Sequence, residues 1–252
     1  MSTEKSAAIV IRSVAWSETS LIVTLFTRSF GKVSAVAKGA RRLKSPFETS
    51  LDLLAKSETV FILKSSETLD ILTESKLIRR FRSGQRSLLA WNCGFYLAEL
   101  VFSLTENHLA MPHVFDALDL SLEKLDEMGE PAKIVLAFEM EFLRELGHLP
   151  SFELCAGCGN SVQSGRNRRY LFGIEAGGLL CDRCLAGQRH VLTIHEPTVL
   201  CLREVASGTT RADDWQIQGS VRGEVRFVME RFISYLADRQ LRLMEFLEEL
   251  KR

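Results

Sequence analysis

The sequence predicts an α+β fold: an N-terminal five-stranded β-barrel of the OB type, followed by an α-helical domain that carries an inserted four-cysteine zinc module. Three observations lead there. Short runs rich in Val, Ile, Leu and Thr fill the N-terminal part, and the apolar period changes to a helical one after Phe81. Four of the six cysteines stand as two Cys-x-x-Cys pairs, Cys155/Cys158 and Cys181/Cys184, separated by 22 residues. The expected boundaries are 1–80 for the barrel, 81–252 for the helical domain and 152–187 for the insertion.

The predicted strands are Ala7–Val14, Leu21–Thr27, Val33–Lys38, Leu51–Leu54 with Thr59–Leu63, and Leu69–Thr73, each bounded by Ser, Gly, Lys or Pro. Alternation is clearest in the third. There Val33, Ala35 and Ala37 form an apolar face, and Lys32, Ser34 and Val36 are placed on a solvated one. Five strands with no helix between them fit a small closed barrel of the OB type, and an SH3-like barrel shares the same period.

Helical spacing begins at Arg86. Leu89, Cys93, Tyr96, Leu97, Leu100 and Leu104 share one face of a helix ending near Thr105, and Met111–Met128 and Pro131–Leu146 follow. Pro131 suits a first helical position and Gly147 the position just past the end. The acids Glu99, Glu106, Asp116, Asp119, Glu123, Asp126, Glu127 and Glu130 are expected on the outer faces of these helices. After the glycine-rich insertion, helices resume at Pro197–Ala206 and Val221–Ala237, and an amphipathic piece runs from Gln240 to Leu250.

Composition narrows the function. The chain has 252 residues, 46% of them apolar, which is enough for at least one substantial core and excludes general disorder. Charges balance at 32 against 32, so no overall excess drives binding, and any electrostatic role is local. The apolar runs are too short for a bilayer, and Met1 to Lys5 is polar without a signal core; a soluble, cytoplasmic protein is expected.

Position matters more than the total. Residues 1–80 hold 13 basic and 8 acidic side chains, and the remainder holds 19 and 24. From Thr19 to Phe47 the charged residues are Arg28, Lys32, Lys38, Arg41, Arg42 and Lys44, all basic. A second acid-free run contains Lys76, Arg79, Arg80, Arg82 and Arg86. Such segregation suits a basic module that meets a polyanion.

Two Cys-x-x-Cys knuckles can surround one zinc ion tetrahedrally, because two intervening residues let a tight turn present both sulfurs on one side. A redox dithiol or a set of free thiols is the competing reading. Four thiolates leave no open coordination position, so the predicted metal is structural. Cys93 and Cys201 lie in apolar helical patterns and read as small buried hydrophobes.

The stretch Lys38-Gly-Ala-Arg41-Arg42-Leu-Lys44-Ser-Pro46 puts four cations in seven residues between two predicted strands. It reads as a basic loop tracking phosphates, with Arg28, Lys32, Arg79 and Arg80 contributing the same sign. The plainer alternative is a solvated loop that keeps sheet edges apart. Trp16, Phe26, Phe30 and Phe47 have the chemistry to stack bases but are expected in core or rim packing. Catalytic patterns are not found: His108, His113, His148, His190 and His195 form no metal-binding pair, and neither a phosphate-cradling Gly-Lys-Ser/Thr loop nor G-x-S-x-G occurs.

These residues together resemble a known family, the bacterial recombination mediators of the RecO type. The resemblance runs through Ala8-Ile-Val-Ile-Arg12, Ser17-Glu18-Thr-Ser, Leu21–Thr27 and Gly31-Lys32 to Val36-Ala-Lys38-Gly39-Ala-Arg41-Arg42-Leu-Lys44-Ser45. It continues at Thr73-Glu74, Phe81, Cys155-Ala-Gly-Cys158-Gly159, Phe172 and Gly177-Gly-Leu-Leu-Cys181 with Cys184. It implies an OB-fold, a helical domain and a zinc module in a non-enzymatic protein. By the same resemblance, the protein binds single- and double-stranded DNA, anneals complementary strands and, with RecR, helps RecA displace single-strand-binding protein, with a possible link to RecF at the nucleoid. A protein-only zinc-ribbon adaptor and a metal-dependent hydrolase are the competing classes.

Overall fold

The computed structural model describes residues 2–47, 49–64, 68–164, 168–210, 212–217 and 219–251. The chain divides into two compact units, Met1–Gly129 and Glu130–Arg252.

In the first unit, strands β1 (Ser2–Ala15), β2 (Leu21–Thr27), β3 (Gly31–Ala37), β4 (Lys56–Leu63) and β5 (Asp70–Arg79) close into a barrel in the order β1-β2-β3-β5-β4. Closure depends on β1. Its 14 residues pair with β4 through the N-terminal half and with β2 through the C-terminal half, and a register shift between Val10 and Arg12 bends it from one partner to the other. The seam between β3 and β5 is parallel and short, Ala35–Ala37 against Asp70–Leu72. Alternating inward residues, among them Val10, Val23, Leu25, Val33, Ala35, Phe61 and Leu72, form the barrel core.

Helices α1 (Leu88–Leu104) and α2 (Pro112–Asp126) belong to the same unit. The Ser87 hydroxyl caps α1 by accepting from the Ala90 amide at 3.1 Å, and Pro112 opens α2. Phe26, on the outer side of β2, is buried against Phe115 of α2 with ring centroids 6.2 Å apart. Cover on both faces explains why β2 is buried continuously from Val23 to Thr27 rather than in alternation.

The second unit contains α3 (Pro131–Glu145), a three-stranded sheet of β6 (Arg169–Gly173), β7 (Gly178–Leu180) and β8 (Val191–His195) in the order β7-β6-β8, then α4 (Glu196–Ser207) and α5 (Gly219–Leu236). Phe172 of β6 stacks on Phe152 at 5.8 Å and meets Phe232 of α5 edge-on at 6.0 Å, which anchors the cysteine module to the helices. Pro131 and Gly147 bound α3 as expected, with Gly147 at φ +73°.

Several expectations need correction. Leu51–Leu54 is a turn, with Leu54 at φ 64°, and the fourth strand begins only at Lys56. None of the strands β6, β7 and β8 was expected, and residues Met244–Lys251 form a 3-10 helix. Asp116, Asp119 and Asp126 do not simply face solvent, because each is bonded to basic or polar groups of the barrel end of the chain.

Candidate nucleic-acid interface and metal centre

The loop after β3 begins at Gly39, whose φ of +77° favours glycine, and the Arg42 side chain passes over it. Lys38, Arg41, Arg42 and Lys44 are all exposed, and Leu43 is fully so. The loop is tied down at one point. The Arg41 amide donates to the Thr19 carbonyl at 3.0 Å, and Arg41 Nη1 donates to the Ser17 carbonyl at 2.9 Å. Among the described residues none of the four cations pairs with a carboxylate, so their charge faces solvent uncompensated. The segment Ala40–Pro46 lines an open recess of about 590 Å³.

The other predicted DNA contacts are placed differently. Arg28 grips Asp116 through Nε and Nη2, both at 2.9 Å, and this bond holds the Asp116 carboxyl below its ordinary pKa. Lys32 lies on the outward side of β3, yet it is 9% exposed. Its Nζ donates to the carbonyls of Phe102 at 2.8 Å and Thr105 at 2.7 Å, so it caps the C-terminus of α1, and burial pulls its pKa down. The solvated face expected for Lys32 is therefore covered. Arg79 and Lys56 share Asp119, each at 2.5 Å. Arg80 is exposed and donates to the Thr49 hydroxyl. The structure thus gathers Lys38, Arg41, Arg42 and Lys44 on one loop and commits Arg28, Lys32 and Arg79 to joining the barrel to α1 and α2.

The four thiols of Cys155, Cys158, Cys181 and Cys184 lie within 4.8 Å of one another, with Cys158 and Cys181 sulfurs 3.8 Å apart. A regular tetrahedron with zinc–sulfur bonds of about 2.3 Å has edges of about 3.8 Å. Each knuckle is built by backbone bonds: Gly159 N–H to the Cys155 carbonyl at 2.8 Å, and Cys184 N–H to the Cys181 carbonyl at 3.0 Å. Gly157 lets the two knuckles approach closely, since a Cβ there would stand 3.0 Å from the Cys184 Cβ and 3.1 Å from its sulfur.

The thiols perturb one another. Burial raises the Cys155 pKa, but amide donors from Cys181, Gly157 and Cys158 outweigh it and bring the value to about 6. Cys184, bonded by Cys158 and its other neighbours, is pushed up to about 12. One thiolate forms readily and a fourth does not unless a cation offsets the accumulated charge, which is the behaviour of a metal-binding donor set. Cys201 stands apart, half-buried, its thiol raised to about 11 by burial.

A third polar cluster escaped sequence reasoning. Glu224 of α5 accepts from the His195 amide at 3.1 Å, meets His195 Nδ1 at 2.8 Å and accepts from the Thr198 hydroxyl, so it closes the N-terminus of α4. Spacing along the chain gives no signal for a cap supplied by a different helix.

Comparison with known proteins agrees with this architecture. The family described as Recombination protein O N terminal matches residues 1–81, and Recombination protein O C terminal matches residues 85–245. A DNA repair protein RecO of Rhodopirellula baltica is 46% identical over 200 residues, covering 79% of this chain and 74% of that protein. The RecO of Syntrophus aciditrophicus is 27% identical over 255 residues, 99% and 97% of the two chains, and that of a Listeria monocytogenes strain is 30% identical over 200 residues, 79% and 76%. With a barrel, helices and a four-thiol cluster in the order these matches span, the chain belongs to the RecO family of DNA repair proteins.

Proposed function

We propose that this chain is a non-enzymatic recombination mediator that binds single- and double-stranded DNA through the loop Lys38–Lys44, anneals complementary strands, and acts with RecR to help RecA replace single-strand-binding protein. The observation that carries the reading is the set of four exposed, unpaired cations on one tethered loop. Phosphates release counterions when they meet such charges, which gives sequence-tolerant affinity and lets two like-charged strands approach. If about five phosphates are neutralised on a single strand, log affinity falls with log salt at a slope of about −3.5. Arg80 is the remaining exposed candidate outside the loop.

The thiol cluster takes one structural Zn2+. Four thiolates fill a tetrahedron and leave no position for a reactive water, so the metal supplies folding free energy rather than catalysis. Family membership supports partner contacts with RecR, single-strand-binding protein, RecA and RecF, and DNA as the proposed ligand supports a cytoplasmic, nucleoid-associated setting. Among the described residues no helix is long and apolar enough to cross a membrane.

The test is annealing of complementary oligonucleotides precoated with single-strand-binding protein, comparing wild type with Arg41→Ala/Arg42→Ala over a salt series. The variant is expected to lose annealing and to bind single strands with a slope shallower by about 1.4, while remaining folded and zinc-loaded. A wild-type protein that neither retains nor anneals DNA at low salt sinks the reading and points to a protein-only adaptor.

A further inference from the structure

We infer that Trp16 is a base-stacking platform that gives the basic loop a preference for single strands over duplex; the inference rests on the DNA-binding reading of that loop. Of the five aromatics in the barrel, Trp16, Phe26, Phe30, Phe47 and Phe61, four are occupied, Phe61 being fully buried. Phe26 and Phe47 are buried, and Phe30 packs edge-on against Phe61 at 5.6 Å. Trp16 follows β1 directly and is 62% exposed, and among the described residues its ring has no aromatic or cationic partner.

Its placement is fixed rather than incidental. The Trp16 and Ser17 amides both donate to the Ser20 carbonyl, at 3.0 and 3.3 Å, and the Ser17 hydroxyl accepts from the Ser20 amide at 3.1 Å, so the turn is internally braced. Arg41 bonds to this same turn twice, at the Thr19 and Ser17 carbonyls. A guanidinium therefore sits on the carbonyl of the residue next to an exposed indole. Glu18 occupies the tip of the turn and repels phosphate, which leaves the Arg41–Lys44 side for the backbone.

The chemistry of this pairing distinguishes the two forms of DNA. Phosphates are present on both, so the cations cannot tell them apart. The face of a base is open only where the strand is unpaired, and an indole face accepts any base without reading its edge. Cation and ring together thus recognise an unpaired nucleotide of any sequence, as a mediator acting along arbitrary gaps requires.

The experiment uses the full-length, zinc-loaded chain with oligo(dT) and a duplex of equal length, followed by anisotropy over a salt series. Trp16→Ala is expected to weaken oligo(dT) binding about tenfold, the loss of one stacked base, while duplex affinity and the salt slope stay unchanged. Trp16→Phe is expected to restore most of the affinity but to abolish the quenching of tryptophan fluorescence by oligo(dT), since Trp215 is buried and Trp91 is half-buried. Equal affinity of wild type and Trp16→Ala for oligo(dT), or equal loss on single strand and duplex, overturns the stacking role. If in either case Arg41→Ala/Arg42→Ala still loses binding, the basic loop keeps its assignment; if wild type binds neither DNA, the loop assignment falls with it.

Discussion

Arg28 and Asp116 meet fork to fork, with two parallel bonds of 2.9 Å that join the end of β2 to α2. A guanidinium engaged in this way has its best donors already used. Arg28→Ala is therefore expected to leave DNA affinity and its salt slope unchanged and to lower the melting temperature slightly. Because the bond holds the Asp116 carboxyl below its ordinary value, that small stabilisation is present above the unfolded pKa and is lost as pH falls through the folded one. A melting series in acid for both proteins shows whether their curves converge. Asp119, four-fifths buried and shared by Lys56 and Arg79, is the stronger joint, and Asp119→Ala is expected to cost about 2 kcal/mol in urea unfolding.

Lys32 offers a sharper separation of stability from binding. Its ammonium satisfies two carbonyls at the end of α1 and lies 5.0 Å from the Phe102 ring centroid. Removing it leaves those carbonyls without their charged donor, and Lys32→Ala is expected to lose about 2 to 3 kcal/mol with little change in the salt slope of DNA binding. Burial pulls the ammonium below 10.5, so the folded chain releases this proton before the unfolded chain does. Relative to Lys32→Ala, wild type gains stability as pH rises toward 10.5. Chemical denaturation with parallel DNA titrations checks both halves.

The proposed zinc site lies in the second unit, and removal of the metal is expected to act there. Wild type is expected to carry one zinc per chain by elemental analysis, and Cys155→Ser and Cys184→Ser to carry far less and to melt at lower temperature. A chelator should reproduce that loss and added zinc reverse it, since binding worth about 10 to 16 kcal/mol is folding free energy here. Cys201→Ser is the control: its thiol lies outside the cluster, and zinc content should not change.

Glu224 ties α5 to the start of α4. Burial raises its carboxyl, but the bonds from Thr198 and His195 outweigh that, and the net pKa lies below the ordinary value of 4.5. The folded state thus favours the charged form. Its contribution is complete above pH 4.5 and disappears as pH falls through the folded value. Glu224→Gln should melt at lower temperature than wild type near neutrality and approach it in acid, which a melting series from neutral pH downward measures.

The barrel, the helices and the thiol cluster were legible because each is written in local periodicity or spacing. What the sequence concealed was mostly cover. Alternation placed Lys32 outside the barrel core, and it is outside, but nothing near it in sequence announces the end of α1 lying over it. The same holds for Arg28 and Arg79, whose partners come from α2. One signal was present: Asp116 and Asp119 stand three residues apart beside Phe115, one acidic edge next to a buried ring. Leu51–Leu54 misled because three leucines around Asp52 read as a strand when no glycine or asparagine marks the turn, and here Leu54 itself takes the positive φ. The strands β6, β7 and β8, of five, three and five residues, were too short for their alternation to stand out.

The ring of five strands closes through β1, which is bonded along one half to β2 and along the other to β4, and through the short seam of β3 against β5. Each barrel strand is paired on both sides for at least part of its length, so the barrel has no full-length edge strand to lend a partner or to template further copies. The proposed DNA contacts accordingly lie on the side chains of the loop after β3. On the DNA-binding reading, such a hold loosens one charge at a time as salt rises, which suits the release of a bound strand.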